Sequence, residues 1–103
     1  MRARTLLLAA CAAAPLAAMA QNAEALYVRS LAATCANCHG PGGQTAPGSA
    51  VPGLAGMPRD YMLRQLAAFR DGSRPATVMH QIAKGYTQPQ LEQIAGWFAA
   101  QKK

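Results

Sequence analysis

Acidic residues are scarce in this chain: four Asp and Glu against ten Lys and Arg in 103 residues. Nothing among them suggests a catalytic acid–base pair. Also missing is any run of alternating β-branched residues long enough for a strand, so no sheet is expected. No internal repeat and no second domain can be discerned. The basic residues are scattered rather than blocked, which argues against a nucleic-acid arm and for a solvated surface with a mild preference for an acidic partner. No apolar run is long and unbroken enough to span a bilayer comfortably, and Pro15 interrupts the best one. Cysteine is limited to Cys11, Cys35 and Cys38.

That first apolar run has a different meaning. Arg2 and Arg4 form a basic segment, Thr5 to Ala17 is rich in Ala and Leu, and Ala18-Met19-Ala20 gives the small-x-small pattern of a secretory cleavage site. Residues 1–20 are read as a removed signal peptide and 21–103 as the mature domain, beginning at Gln21. The alternative is "LAAC", Leu8 to Cys11, which resembles a lipoprotein box and would anchor the protein at a lipidated Cys11. The apolar run ahead of it is shorter than the roughly 7–15 residues of an h-region. Removing 20 residues leaves 83, with eight basic residues against the same four acids and a net charge of +4. A domain this small cannot build a large core unaided and usually relies on a disulfide, a metal or a cofactor.

The mature chain reads as helices separated by Gly/Pro-rich loops. A first helix is expected from Ala23 to about Cys35. The segment 40–57, "GPGGQTAPGSAVPGLAGM", is a long loop of the kind that is either disordered or wrapped around something. Pro58 suits the first turn of a second helix carrying Met62, Leu66 and Phe69, with Gly72 as its stop. "ATVMHQIAKG" allows a short third helix ended by Gly85. Thr87 and Gln90 make a capping box for the last helix, with Tyr86 and Leu91 as a hydrophobic staple. Leu91, Ile94, Ala95 and Phe98 line one of its faces, Trp97 stands beside them, and Lys102 and Lys103 suit its C-terminal end.

"CANCH", residues 35–39, carries the chemistry. A thioredoxin-like thiol pair would want a βαβ context and would leave His39 without a task. Structural zinc needs four ligands, and the one other histidine, His80, is not at finger spacing. The third reading is attachment of a c-type haem, for which C-x-x-C-H is the signature. Two thiols three residues apart can each add to a vinyl group on one porphyrin edge, and the next histidine is delivered to one face of the ring. The opposite axial position has Met57, Met62, Met79 and His80 as candidates. Met62 lies at helical spacing with Leu66 and Phe69, which also suits a core residue; His80 would give bis-histidine ligation.

Together "CANCHG", "VPGLAG", "YMLRQLAAFRDGSR", "VMHQIAKGYT" and "LEQIAGWFAAQ" resemble the short bacterial class I cytochromes c, among them the cytochrome subunit of flavocytochrome c sulfide dehydrogenase. The resemblance covers nearly all of the mature chain. It implies an all-α fold of three to four helices and a long loop wrapped around one covalent haem. It further implies Cys35 and Cys38 as thioether links, His39 and Met79 as axial ligands, and His80 as no ligand. The Pro52 carbonyl is expected to bond Nδ1–H of His39, and the terminal helices are expected to cross with Trp97 or Phe98 packed on a small residue. Tyr27 departs from the pattern, standing where a glycine is common at that crossing. The implied function is one-electron transfer in the periplasm, by a non-catalytic protein without nucleic-acid partners. It would act as a free carrier or as a haem subunit taking electrons from a sulfide-oxidising flavoprotein. A five-coordinate sensor or peroxidase would require that Met79 not bind.

Overall fold

The computed structural model describes the backbone of residues 2–103 and side chains from Pro15 onward; the side chains of Arg2, Arg4 and Cys11 lie outside the described residues. Four helices follow one another: α1 (Arg2–His39), α2 (Arg59–Asp71), α3 (Met79–Lys84) and α4 (Gln88–Ala99), with a 3-10 turn at Pro41–Gly43. No strand occurs among the described residues, so the βαβ setting of a thioredoxin-like pair is absent there.

Helix α1 differs from expectation at both ends. It begins at Arg2 rather than Ala23, with Pro15 inside it. The Ala/Leu-rich segment 5–17 has high helix propensity, and no glycine separates it from the residues that follow. At the other end α1 continues one turn past Cys35 to His39. It stops at Gly40, whose φ of 84° favours glycine. A Cβ there would stand 2.0 Å from the Gln44 carbonyl oxygen, so no other residue fits.

The remaining boundaries follow local chemistry. Pro58 stands at the N-cap of α2, one position before the first turn, and Gly72 ends the helix in the left-handed conformation at φ 82°. Helix α3 is the short helix expected within "ATVMHQIAKG": it occupies Met79–Lys84, after Val78 at its N-cap, and Gly85 caps its end. The capping box of α4 is formed: Gln90 N–H donates to Thr87 Oγ1 at 3.3 Å, and Thr87 N–H donates to Gln90 Oε1 at 2.9 Å.

Helix α1 packs against α4, and α2 packs against both α3 and α4. Ala32, Met62, Ile94, Ala95 and Phe98 form the buried cluster where they meet. Phe98 is fully buried and Ala32 is 1% exposed; a small residue on α1 thus lets α4 come close with its aromatic. Trp97 is the outer member of the pair, edge-on to Phe98 with ring centroids 5.0 Å apart. Tyr27, in place of the family's glycine, does not enter this contact. The residue is 45% exposed, and its hydroxyl accepts a 3.0 Å bond from Gln90 Nε2. Gln90 therefore caps α4 with its oxygen and ties it to α1 with its nitrogen.

Candidate functional site

The last turn of α1 presents the thiol–imidazole set. Cys35 and Cys38 are separated by three positions and Cys35 and His39 by four, spacings that bring side chains to one face of a helix. Cys35 is half-buried and Cys38 exposed. Burial pushes the Cys35 thiol above its ordinary value; a contact with the Thr34 hydroxyl works against this, and the neighbouring Cys38 adds to it. Thr34 Oγ1 donates to the Leu31 carbonyl at 2.7 Å, so it serves as acceptor for Tyr86, whose hydroxyl lies at 2.5 Å. That bond fastens the thiol-bearing turn to the residue preceding the α4 cap.

His39 is buried, with 8% of its surface exposed. Its Nδ1 lies 2.7 Å from the Pro52 carbonyl oxygen. A carbonyl can only accept, so Nδ1 carries the proton and donates, leaving Nε2 with its lone pair. The loop that supplies Pro52 is clasped at Gly43: the Gly43 carbonyl accepts from Leu54 N–H at 2.8 Å and Ala55 N–H at 3.2 Å. Next in the chain, Gly56 N–H donates to the Phe98 carbonyl at 2.9 Å. The long loop is thereby closed on itself around the segment that meets His39 and fixed to α4 just after it.

These residues open onto a cleft of about 390 Å³. Cys35, Cys38 and His39 line it from α1; Val51, Pro52, Leu54 and Met57 from the loop; Leu66 and Phe69 from α2; Val78, Met79 and Ile82 from around α3. Three methionines reach the cleft, but they differ. Met62 belongs to the buried cluster and Met57 packs against it, whereas Met79 belongs to neither set. His80 is not on the cleft wall, and its Nδ1 is buried without a hydrogen-bond partner. No cluster of three or more His, Cys, Asp and Glu able to hold a metal ion forms among the described residues, so the tetrahedral zinc set has no site there.

An apolar cleft with two thiols and an oriented imidazole on one wall and a thioether on another suits a haem, whose faces need apolar cover and whose iron takes nitrogen and sulfur ligands. Sequence reasoning missed part of the lining. Tyr61, Gln65 and Arg74 also face the cleft, although Arg74 reads from the sequence as one of several scattered surface cations. Its nearness to Met79, in "SRPATVM", was the signal available.

Comparison with known proteins agrees with this geometry. Residues 20–100 match the family model described as Cytochrome c. A thiosulfate dehydrogenase electron acceptor of Thiomonas intermedia (strain K12) is 39% identical over 71 residues, which is 69% of this chain and 33% of that protein. The cytochrome subunit of sulfide dehydrogenase of Chlorobaculum tepidum is 40% identical over 68 residues, 66% of this chain and 60% of that protein. Cytochrome c4 of Pseudomonas aeruginosa is 37% identical over 71 residues, covering 69% of this chain and 35% of the relative. The chain thus spans between about a third and three fifths of the length of these relatives. No helix among the described residues is long and apolar enough to cross a membrane. With a family match over most of its length, and thiols, imidazole and apolar cleft in one place, the chain belongs to the cytochrome c family: an all-α electron-transfer domain with a covalently bound haem c.

Proposed function

We propose that the protein is a periplasmic one-electron carrier whose haem is joined to Cys35 and Cys38 and ligated by His39 and Met79. The observation that carries this reading is the cleft wall: Met79 is on it without being part of the core, while His80 is not on it at all. When bound, haem c supplies an iron that passes one electron by cycling between ferric and ferrous states. The chain's own residues do the rest. Two thioethers would keep the cofactor from being lost outside the cell. The Pro52 carbonyl holds the His39 ring in one tautomer and orientation and makes Nε2 a better donor. The Met79 sulfur is a soft ligand that favours the ferrous state over what a second imidazole would give. The apolar lining excludes water, which lessens rearrangement between the two oxidation states.

Periplasmic location is supported by the basic, apolar and small-x-small leader. A second reading, a haem subunit serving a sulfide-oxidising flavoprotein, is favoured by the Chlorobaculum tepidum relative, the one whose length this chain covers most fully among those described above. A flavin-containing chain that co-purifies from the native host would support it.

The ligand set is tested by absorption spectroscopy of protein matured in a periplasm. The ferric form should show the weak red-edge band of thioether-to-iron bonding. Met79→Ala should abolish that band, lower the reduction potential and open the site to carbon monoxide, whereas His80→Ala should leave all three unchanged. Loss of six-coordination in His80→Ala alone would establish bis-histidine ligation instead. Ready carbon monoxide binding by the unmutated protein would favour a sensor or peroxidase.

A further inference from the structure

The two proposed axial ligands stand on elements with different packing partners. His39 ends α1, which packs against α4, whereas Met79 opens α3, which packs against α2. Helix α3 has six residues and no side-chain cap at its N-terminus, so its place relative to α1 is set from outside. After Lys84 the chain reaches α4 through residues 85–87, and two of these three are tied to α1. The Tyr86 hydroxyl donates to Thr34 Oγ1. Thr87 is bonded to Gln90, whose Nε2 donates to the Tyr27 hydroxyl.

Tyr27 and Thr34 are seven residues apart, two turns of helix and about 10 Å along its axis, and so share one face of α1. Their bonds differ in what they hold. The Tyr27 bond secures α4 away from the thiols. The Thr34 bond lies beside them: Thr34 Oγ1 is 3.9 Å from Cys35 Sγ, and Thr34 lines the cleft. Among the described residues it is the single hydrogen bond between α1 and residues 73–87, the segment that carries Met79. On the other side of Tyr86, Gly85 N–H donates to the Ile82 carbonyl at 3.0 Å and joins the last turn of α3 to it. The Tyr86 ring packs against the buried cluster, a task that phenylalanine would also perform. The hydroxyl is needed for Thr34.

We infer that the Tyr86–Thr34 bond is a latch across the cofactor site. Tyr86 is a positioning residue that holds α3 in register with the last turns of α1 and so keeps the Met79 sulfur available as the second axial ligand. This inference rests on the ligation proposed above. Release of Met79 from iron requires its segment to draw back, and the latch opposes that movement at the point where the segment meets α1. Thr34 is exposed, so water can replace the bond, and its effect is that of one ordinary hydrogen bond.

The test uses ferric holoprotein whose pyridine haemochromogen spectrum shows two thioether bonds. Cyanide binds the iron after Met79 lets go, so the rate at saturating cyanide reads release of that ligand. Tyr86→Phe should raise this rate by about two- to tenfold, the range expected when a closed state loses one ordinary hydrogen bond. On heating it should also lose the red-edge thioether band earlier, widening the interval between band loss and helix melting. Tyr27→Phe is the control: it breaks the other bond and should lower the melting temperature with cyanide rate and interval unchanged. Thr34→Val should match Tyr86→Phe, and the two together should be no faster than either alone. Thr34→Ser, which keeps the acceptor, should retain the slow rate. An unchanged cyanide rate in Tyr86→Phe overturns the inference, even where stability falls. Equal acceleration in Tyr27→Phe, or additive effects in the double variant, overturn it as well. Should Tyr86→Phe fail to mature, Thr34→Val against Thr34→Ser decides in the same way. Absence of the red-edge band in the unmutated protein refutes Met79 ligation instead. The cyanide rates still judge the latch in that case, because His80, the rival ligand, stands on α3 as well.

Discussion

Replacing Gly43 with alanine should damage the loop that presents Pro52 to His39, and Gly42 provides an internal control. Both glycines have positive φ, 63° for Gly42 and 79° for Gly43. An alanine at either position therefore carries the left-handed strain of about 1–2 kcal/mol. The surroundings differ. A Cβ on Gly42 would meet nothing within 4 Å, while one on Gly43 would lie 2.7 Å from the Ala55 backbone nitrogen, 2.8 Å from Phe98 Cδ1 and 3.0 Å from Leu54 Cβ. Two of those neighbours are a hydrogen-bonded backbone and a fully buried ring, so neither yields easily. Overpacking of this kind adds roughly 1–3 kcal/mol. Gly43→Ala should accordingly be less stable than Gly42→Ala by about 2 kcal/mol, or roughly 8–16 °C in Tm for a domain of this size. Thermal melts of the two holoproteins followed by far-ultraviolet circular dichroism measure the difference. Equal melting temperatures, or a more stable Gly43→Ala, would refute the claim that loop, Phe98 and site are packed as one unit.

The other perturbations bear on different parts of the same structure. Phe98→Ala should lose about 3–5 kcal/mol in a denaturant melt, as large-to-small changes of a fully buried aromatic do, and half-buried Trp97→Ala distinctly less; the reverse order would mean that Trp97 is the crossing residue. Thr87→Ala should cost about 1 kcal/mol by removing the cap of α4, read from the shift in urea midpoint at constant slope. Changing Cys35 and Cys38 together to alanine should abolish covalent haem and leave the mature chain largely unfolded by circular dichroism; a cooperatively melting helical apoprotein would contradict this. The intact mass of the exported protein should correspond to a chain starting at Gln21, and a diacylglyceryl mass on Cys11 would show that the lipoprotein box is used instead.

Much of the fold could be read from sequence because its signals are local. Thr87 and Gln90 announce the α4 cap three residues apart, Gly72 and Gly85 mark helix ends, and Leu91, Ile94, Ala95 and Phe98 repeat at helical spacing. The pattern "CANCH" draws attention to the site by residue type and spacing alone. What could not be read depends on contacts distant in sequence. Whether Phe98 or Trp97 turns inward is decided by Ala32, more than sixty residues away. Nothing near Tyr27 says that its hydroxyl meets Gln90, and nothing near Thr34 points to Tyr86. Arg74 looks like any surface cation until α2 brings Gln65 and Phe69 to the same wall. The start of α1 differs for another reason: the sequence places a cleavage pattern at Ala18-Met19-Ala20, yet the Ala/Leu-rich residues before it favour helix as strongly as the segment that follows, and the helix of the uncut chain begins at Arg2.

The clasp at Gly43 also determines where this chain can grow. Its carbonyl closes the loop against Leu54 and Ala55, so residues 44–53 form a sealed side branch rather than a slack connection between α1 and α2. The tip of that branch, Ala46 to Ser49, is exposed and bends through a Ser49 N–H bond to the Ala46 carbonyl at 3.1 Å. None of these four residues lines the cleft. Lengthening a closed loop is an entropic matter: each doubling adds only about 0.6 kcal/mol. Roughly ten extra residues between Pro47 and Gly48 would thus be borne by the tip alone, while a single one between Pro52 and Gly56 would slip the register of every bond that the clasp makes. The branch tip is a natural place for a label, an epitope or a whole inserted segment, held outside the redox site by two hydrogen bonds to one carbonyl.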